Sequence, residues 1–339
     1  MHLYKMIFLS TLMMGTMISV SSITWLGTWM GLEINLLSFI PLMKEKNNSY
    51  ASESSMKYFL VQALASAVFF FSIIMISSMN FLNSEILMAS DFILMIINSS
   101  LMLKMGAAPF HFWFPEIIEG LNWINSLILM TWQKIAPMMI LSYSLKSSNY
   151  ILIIIISCSI IGSIGGLNQV SLRKIMAFSS INHIGWMISS FLSNEMIWMI
   201  YFMIYSTISA TIILMLKSFN IFYLSQMFIL MSKNILIKFS MLLNLLSLGG
   251  LPPFLGFFPK WMIIQQLSDK YSLVVLIMIM ATLITLFFYM RIAYTSIIIN
   301  HNQMNFSIGQ NIKMSSINLM YTFFSLTGLT ICTLMFNLH

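Results

Sequence analysis

The chain alternates long apolar segments with short polar ones along its whole length. Eleven apolar segments are long enough to cross a bilayer, because a helix needs about 20 residues to span the hydrocarbon core. They lie at residues 3–22, 24–43, 56–79, 88–108, 122–145, 149–167, 174–193, 196–218, 237–265, 272–298 and 316–337. The polar stretches between them leave no room for an extramembrane domain. We therefore expect an all-α polytopic membrane protein with eleven transmembrane helices in a single membrane domain, residues 1–339.

The loops on alternate sides of these segments differ strongly in basic residues. The side that holds the N-terminus carries Lys5, Lys44, Lys46, Lys57, Arg173, Lys174, Lys217, Lys233, Lys238, Arg291 and Lys313, whereas the other side carries Lys146 and Lys270. Lysine and arginine accumulate in loops that are not translocated. The N-terminus is thus predicted to face the cytoplasm or its organellar equivalent. An odd number of spans then places the C-terminus on the opposite face.

Composition agrees with a membrane protein and excludes several other classes. Charged residues make up 7% of the chain, against about 25% in soluble domains, and the mean hydropathy is +0.91. The net charge of +7 comes from the lysine and arginine residues in the loops on one side of the membrane. We therefore expect lipids and no nucleic acid as partners. The sequence has no Gly-rich phosphate loop, no H-E-x-x-H and no cysteine cluster. We expect no cofactor in this chain.

Two of the predicted spans are interrupted by proline and glycine at matching positions. The first five spans and the next five form two consecutive units, residues 1–145 and 146–299, followed by a C-terminal helix in 300–339. In each unit the fourth span is broken, by LKMGAAP in the first and by LSLGGLPPFLGFFPKW in the second. Because five is odd, the two units must have opposite topology. Broken helices in inverted repeats point to a transport site near the middle of the membrane.

Four ionisable side chains lie inside predicted spans: Glu33, Lys104, Lys134 and Lys260. Each costs roughly 2.5 to 3.5 kcal/mol near the bilayer centre, so a bundle that merely filled lipid would not need them. Structural alternatives remain open for three of them. Glu33 can be a protonated, hydrogen-bonded carboxyl, Lys104 can extend past the break toward the loop, and Lys260 lies near a span end unless the helix restarts beside it.

His183 is a fifth candidate, in the seventh span among serine and asparagine side chains. The unperturbed pKa of histidine suits proton relay. A histidine in a membrane helix serves equally well as a hydrogen-bonding contact between helices. Both interpretations are compatible with the sequence.

Several blocks of this chain resemble the mitochondrial NADH dehydrogenase subunit 2 family. They are WLGTWMGLEINLLSFIP, KYFLVQALAS, KMGAAPFHFWFPE, TWQKIAPM, GGLNQVSLRKIMAFSSINHIGWM and GGLPPFLGFFPKWMIIQ, in this order. The resemblance covers nearly the whole chain. It implies an antiporter-like, proton-pumping subunit of respiratory complex I. It also assigns the family's glutamate to Glu33, the broken-helix lysine to Lys104, the central lysine to Lys134 and the exit-side lysine to Lys260.

The resemblance carries further expectations about location and partners. The chain would lie in the mitochondrial inner membrane, with its N-terminus in the matrix and its C-terminus in the intermembrane space. Other complex I membrane subunits, with subunits 4 and 4L as neighbours, would be its partners. FMN and iron-sulfur clusters would reside in other subunits, and NADH and ubiquinone would be the substrates of the complex.

These residues suggest a mechanism in which Glu33 and Lys104 form a switchable ion pair. A nearby carboxylate favours the charged lysine, whereas burial without it favours the neutral amine, so separating the pair releases a proton. The proton would pass through Lys134 to Lys260 along a hydrated path. Two alternatives remain open: a subunit of a multi-subunit cation/proton antiporter, and a structural membrane subunit that does not pump.

Overall fold

The computed structural model describes residues 3–45, 48–80, 87–145, 148–233, 235–252 and 254–298. Within these ranges the protein is all-helical, and its β-structure is limited to one isolated bridge between Ser171 and Tyr223. The chain divides into two compact units, Met1–Ile161 and Gly162–His339, and the division falls within a helix. The predicted C-terminal helix in 300–339 lies outside the described residues.

The described residues of the first unit form seven helices and most of an eighth. They are α1 (Leu3–Ser21), α2 (Trp25–Met43), α3 (Ser49–Asn80), α4 (Leu87–Met105), α5 (Trp113–Gly120), α6 (Trp123–Met130), α7 (Trp132–Ser144) and α8 (Ser148–Gly165). Helix α7 packs against α1, α2, α4 and α6, so it lies at the centre of the unit. Helix α3 packs against α2, α4 and α5.

The second unit begins in α8, and its described residues form five further helices. They are α9 (Leu172–Phe191), α10 (Glu195–Ser218), α11 (Leu224–Lys233), α12 (Ile235–Gly249) and α13 (Phe257–Ile298), which has a kink at Tyr271. Helix α10 packs against α9, α12 and α13. Helix α13 also packs against α9 and α11, so α10 and α13 are central here.

The chain is a helical membrane protein. Six stretches of the described residues are long and apolar enough to cross a bilayer: Tyr4–Ser21, Trp25–Met43, Ser49–Ser78, Trp123–Ser144, Glu195–Ser218 and Phe257–Ser296. Helices occupy the positions of the first ten predicted segments, but the count of eleven spans and the inverted repeats stay predictions. Two short helices, α5 and α11, and the interruption at Thr131 between α6 and α7 were not predicted.

The predicted break in the first unit is present, and a glycine ends the helix there. Gly106 has φ of +74°, a left-handed conformation that glycine adopts without steric cost. Its N–H donates to Leu103 O, and the N–H of Ala107 donates to Met102 O. This is the Schellman arrangement, which satisfies carbonyls at a helix C-terminus. Irregular backbone inside a membrane protein requires such internal partners.

The second unit has the same helix ending. Gly250 has φ of +80°, its N–H donates to Ser247 O, and the N–H of Leu251 donates to Leu246 O. The chain then turns and restarts as α13 at Phe257. Pro253, to which the sequence also attributes this break, lies outside the described residues.

Close backbone approach holds the second break in place, which yields a stability prediction. A Cβ atom on Gly256 would overlap the carbonyl oxygen of Ser247, whereas one on Gly249 would meet Tyr289 at an ordinary 3.4 Å. We expect Gly256→Ala to destabilise the subunit by about 3 kcal/mol, because backbone cannot move aside as a side-chain end can. The level of assembled subunit in membranes, measured by native gel, should fall in this variant.

Gly249→Ala is the matched control, since it adds the same methyl group at the end of α12 where there is space. Its assembly level should equal that of the unaltered chain. Equal levels for both variants would contradict the close packing described at this break.

Candidate functional site

Lys104 lies in the last turn of α4, directly before the first break. The residue is 7% exposed, and its Nζ makes no hydrogen bond to the described protein groups. The amine lies 5.7 Å from the centre of the Phe69 ring, within the range of a cation–π contact. A buried amine with one aromatic contact is costly to keep. The Lys104 side chain is therefore buried within the unit. It does not extend toward the loop, which the structural alternative would require.

Glu33 lies on α2, is half-buried, and interacts electrostatically with Lys104. The two do not touch: within the described ranges, the ion pairs closer than 4.0 Å join Lys57 to Glu53 and to Glu116, each at 3.1 Å. The carboxylate and the amine are thus close enough to influence each other without a direct salt bridge. A switchable pair requires this kind of separation, but the switching itself stays a prediction.

Amide side chains surround Lys104. Gln62 Nε2 donates to the Lys104 carbonyl oxygen at 3.2 Å, and Gln133 Nε2 donates to Asn35 Oδ1 at 3.0 Å. The second bond links α2, which carries Glu33, to α7, which carries Lys134. Trp113 Nε1 donates to Leu103 O at 3.1 Å and so satisfies another carbonyl at the end of α4. The end of α4 beside the lysine is therefore supported by side chains from two other helices, α3 and α5.

Lys134 is the third residue of α7 and is 1% exposed. Its Nζ lies 5.6 Å from the centre of the Phe114 ring, and its charge interacts with Cys158. Thr131, three residues before Lys134, interrupts the helix with φ of −114° and ψ of −71°. The Lys134 N–H donates to Thr131 O, three residues back. In a regular α-helix the N–H donates to the carbonyl four residues back. The sequence did not predict this third interruption beside a lysine.

Helix α8 supports the first break from the other side. Ala108 N–H donates to Cys158 Sγ at 3.2 Å, and Ser157 Oγ donates to Ala108 O at 3.1 Å. Cys158 thus contacts both the broken segment and the surroundings of Lys134. Phe114, whose ring faces Lys134, also packs on Gly106. The first unit therefore connects the surroundings of Lys104 and Lys134 by contacts around the break, and Glu33 interacts electrostatically with Lys104.

Lys260 is the fourth residue of α13, directly after the second break, and is 5% exposed. Its Nζ donates to Gly249 O at 2.8 Å and lies 5.9 Å from the centre of a Trp186 ring. The carbonyl end of a helix carries partial negative charge, which stabilises a cation. The helix restarts beside Lys260, as the functional interpretation required, and the amine is held against the end of α12.

His183 lies on α9 and is 7% exposed. Its Nδ1 shares a 2.8 Å hydrogen bond with the hydroxyl of Tyr201, and its ring lies 5.0 Å from that of Tyr205. Trp186, which contacts Lys260, is three residues further along the same helix and hence on the same face. His183 bridges α9 and α10 by this bond. The geometry agrees with both the relay and the structural interpretation of this histidine.

Sequence reasoning missed the side chains that position these amines. They are Asn35, Gln62, Trp113, Gln133 and Cys158. Asparagine and glutamine inside apolar segments were a usable signal, because amides in membrane helices usually bond to other helices. Cysteine and tryptophan gave no such signal. Among the described residues there is no group of His, Cys, Asp or Glu that could hold a metal ion.

Buried lysines beside breaks in a helical membrane bundle define an ion-translocating class of membrane protein. The family profile described as NADH:quinone oxidoreductase/Mrp antiporter, TM, matches residues 22–285. NADH-ubiquinone oxidoreductase chain 2 of Anopheles gambiae is 52% identical over 334 residues, 97% of each chain. The protein of the same name from Locusta migratoria is 51% identical over 300 residues, 88% of this chain and 87% of that one. The chain therefore belongs to the NADH-ubiquinone oxidoreductase chain 2 family.

Solved structures of more distant proteins share the fold. A chain of respiratory complex I from Thermus thermophilus with bound Aureothin superposes with a TM-score of 0.83 at 19% identity, covering 96% of this chain and 79% of that one. A chain of the Mrp complex from Dietzia sp. DQ12-45-1b gives 0.77 at 13% identity, covering 97% and 75%. These similarities show that the fold is shared. The antiporter-like class and the sequence-based resemblance to the family are confirmed by the family profile and the relatives.

Proposed function

We propose that this chain is a proton-translocating membrane subunit of respiratory NADH:ubiquinone oxidoreductase, complex I, and a multi-pass protein of the mitochondrial inner membrane. Its relatives carry the name of that enzyme. The observation that supports proton movement most strongly is the burial of three lysine amines beside interrupted helices. An amine in such a place can exchange its proton with water or a neighbouring group, whereas lipid packing needs no charge.

The residues take distinct roles in this proposal. Glu33 controls the proton on Lys104 through the electrostatic interaction between them, as a carboxylate that approaches or withdraws. Lys134 carries the proton within the first unit. Lys260 carries it in the second unit, where the end of α12 stabilises its charged form. His183 is an additional relay in this proposal, because its ring nitrogen already shares a hydrogen bond with Tyr201.

The orientation and the partners belong to the same proposal. The excess of basic residues on one side supports an N-terminus in the matrix and a C-terminus in the intermembrane space. Eleven spans, in two inverted five-helix repeats plus a terminal helix, are consistent with that distribution. We further propose that subunits 4 and 4L are neighbours. FMN and iron-sulfur clusters would be held by other subunits, and NADH and ubiquinone would bind there.

Co-purification tests this assignment against a cation/proton antiporter. An affinity tag on this chain should recover a complex that oxidises NADH and reduces ubiquinone. Flavin and iron-sulfur spectra should appear in the same fraction. Recovery of an assembly without flavin, iron-sulfur or NADH oxidation would instead support the antiporter alternative and overturn the proposal.

A further inference from the structure

The second unit carries a group of basic residues at one end of its helices, far from its carboxylates. The acidic residues of 162–339 are Glu195 and Asp269. Glu195 begins α10, whereas Lys217 lies in the last turn of that helix. The two residues are about 33 Å apart along the axis at roughly 1.5 Å per residue, and salt screens exposed charges beyond about 8 Å. The positive charge at the basic end is therefore not neutralised by carboxylate side chains of this unit.

Hydrogen bonds bring the basic residues of this end together. Arg291 Nη2 donates to Leu167 O at 2.6 Å and so ties α13 to the loop between α8 and α9. The same loop leads into α9, whose first turn holds Arg173 and Lys174. A backbone hydrogen bond of 3.0 Å joins the start of α9 to the loop that follows α10, and Lys217 lies at the end of that helix. Cations from three helices thus share one face of the unit.

The guanidinium of Arg291 is held in place but still offers donors to a ligand. Its bond to Leu167 O is the one that it makes to the described residues. No described carboxylate pairs with it, since the ion pairs in these ranges are made by Lys57. A guanidinium has further N–H donors in a planar fork, which fits two oxygens of a carboxylate or a phosphate. Because Arg291 is exposed, an anion can reach these donors from outside.

An exposed apolar stripe runs along α13 and ends at Arg291. Leu276, Met280, Leu283 and Phe287 form this α13 stripe, and they lie three or four residues apart, hence on one face of the helix. Arg291 follows Phe287 at the same spacing. The stripe is about 17 Å long at roughly 1.5 Å per residue, against about 30 Å for the whole hydrocarbon core. A cation at the end of such a stripe complements a phospholipid, which has an apolar acyl chain and an anionic phosphate.

We propose that Arg291 and the α13 stripe bind one anionic phospholipid, with its phosphate on the Arg291 guanidinium and an acyl chain along the stripe. Arg173, Lys174 and Lys217 favour an anionic over a zwitterionic headgroup, because each basic residue near the membrane surface attracts negative charge. Residues 300–339 contain no aspartate or glutamate, so that part of the chain offers Arg291 no carboxylate side chain. This lipid site takes no part in the proton path, so its test does not depend on pumping.

Photocrosslinking in the intact, unaltered complex tests the site. Two probes carry the same diazirine in an acyl chain, one on anionic phosphatidylglycerol and the other on zwitterionic phosphatidylcholine. Each probe is added at the same low mole fraction to phosphatidylcholine vesicles that hold the complex, and mass spectrometry measures the adducts on the α13 stripe after illumination. We expect the anionic probe to label the stripe about tenfold more, the effect of hydrogen bonds to a charged group. Equal labelling by the two probes would overturn the proposal.

Two substitutions assign the preference to Arg291. Arg291→Gln keeps an N–H donor for Leu167 O but has no charge, so labelling by the anionic probe should fall about tenfold. Lys270→Gln is the matched control, because it removes an exposed charge from the same helix on the other side of its kink. Labelling of the stripe should be unchanged in this control.

The remaining outcomes decide against the site. Full labelling by the anionic probe in Arg291→Gln would show that the guanidinium does not bind the phosphate. Crosslinks from the α13 stripe to an acidic segment of another subunit, in place of lipid, would show that a protein covers this face. If Arg291→Gln fails to assemble, the comparison of the two probes on the unaltered complex decides the matter alone.

Discussion

Replacing Lys134 with alanine should sharply reduce NADH-driven proton pumping while the complex still assembles. The amine is 1% exposed, lies over the Phe114 ring and interacts with Cys158, so no solvent molecule can substitute for it from outside. A positioned acid or base contributes at least about a hundredfold to a proton-transfer rate. We expect a fall of that size in the pumping rate, measured per assembled complex in sealed vesicles.

Lys134→Arg distinguishes a proton carrier from a fixed charge. Arginine keeps the positive charge and the ring contact but does not release its proton in proteins. We expect Lys134→Arg to pump as poorly as Lys134→Ala, although its charge is retained. Normal pumping by the arginine variant would show that only the charge matters, and Lys134 would then have no part in proton transfer.

The second large effect is expected at Lys260. Lys260→Met keeps a long, flexible side chain in the same place but removes the amine that donates to Gly249 O. The end of α12 then loses its hydrogen-bond donor, and the second unit loses its buried lysine at the break. We expect pumping to fall roughly a hundredfold. Assembly should be affected far less, because methionine fits where the aliphatic part of lysine was.

Lys270→Met on the same helix is the control for that substitution. Lys270 is exposed, so the same chemical change there removes a solvated charge and should leave the pumping rate as it was. Pumping at the full rate in Lys260→Met would exclude this amine from the path. It would also leave the second unit with His183 as its sole proposed carrier.

The two broken helices could be predicted from sequence because glycine and proline act locally. LKMGAAP and LSLGGLPP interrupt apolar runs that otherwise favour helix, and the structure ends α4 and α12 at those places. The residues that terminate the helices are Gly106 and Gly250, through positive φ, ahead of the prolines. The burial of Lys134 also followed from its central position in an apolar segment. For Lys104 and Lys260 the sequence left an exposed position open, and the structure shows both buried.

The contacts around the amines could not be predicted, because they join residues far apart in the chain. Gln62 reaches the carbonyl of Lys104 from α3, and Cys158 reaches Ala108 from α8. No periodicity or spacing in a single sequence encodes such pairings. The interruption at Thr131 escaped prediction for a related reason, since threonine does not by itself end a helix and tertiary packing decides its conformation.

The most direct test of proton translocation by these lysines is the number of protons moved per NADH oxidised. It is measured in vesicles that hold a complex in which Lys104, Lys134 and Lys260 are all replaced by methionine. These amines are buried beside interrupted helices, and on our account they carry protons through this subunit. The ratio should therefore fall below that of the unaltered complex. A structural subunit that does not pump predicts an unchanged ratio, and that result in an assembled complex would contradict the account.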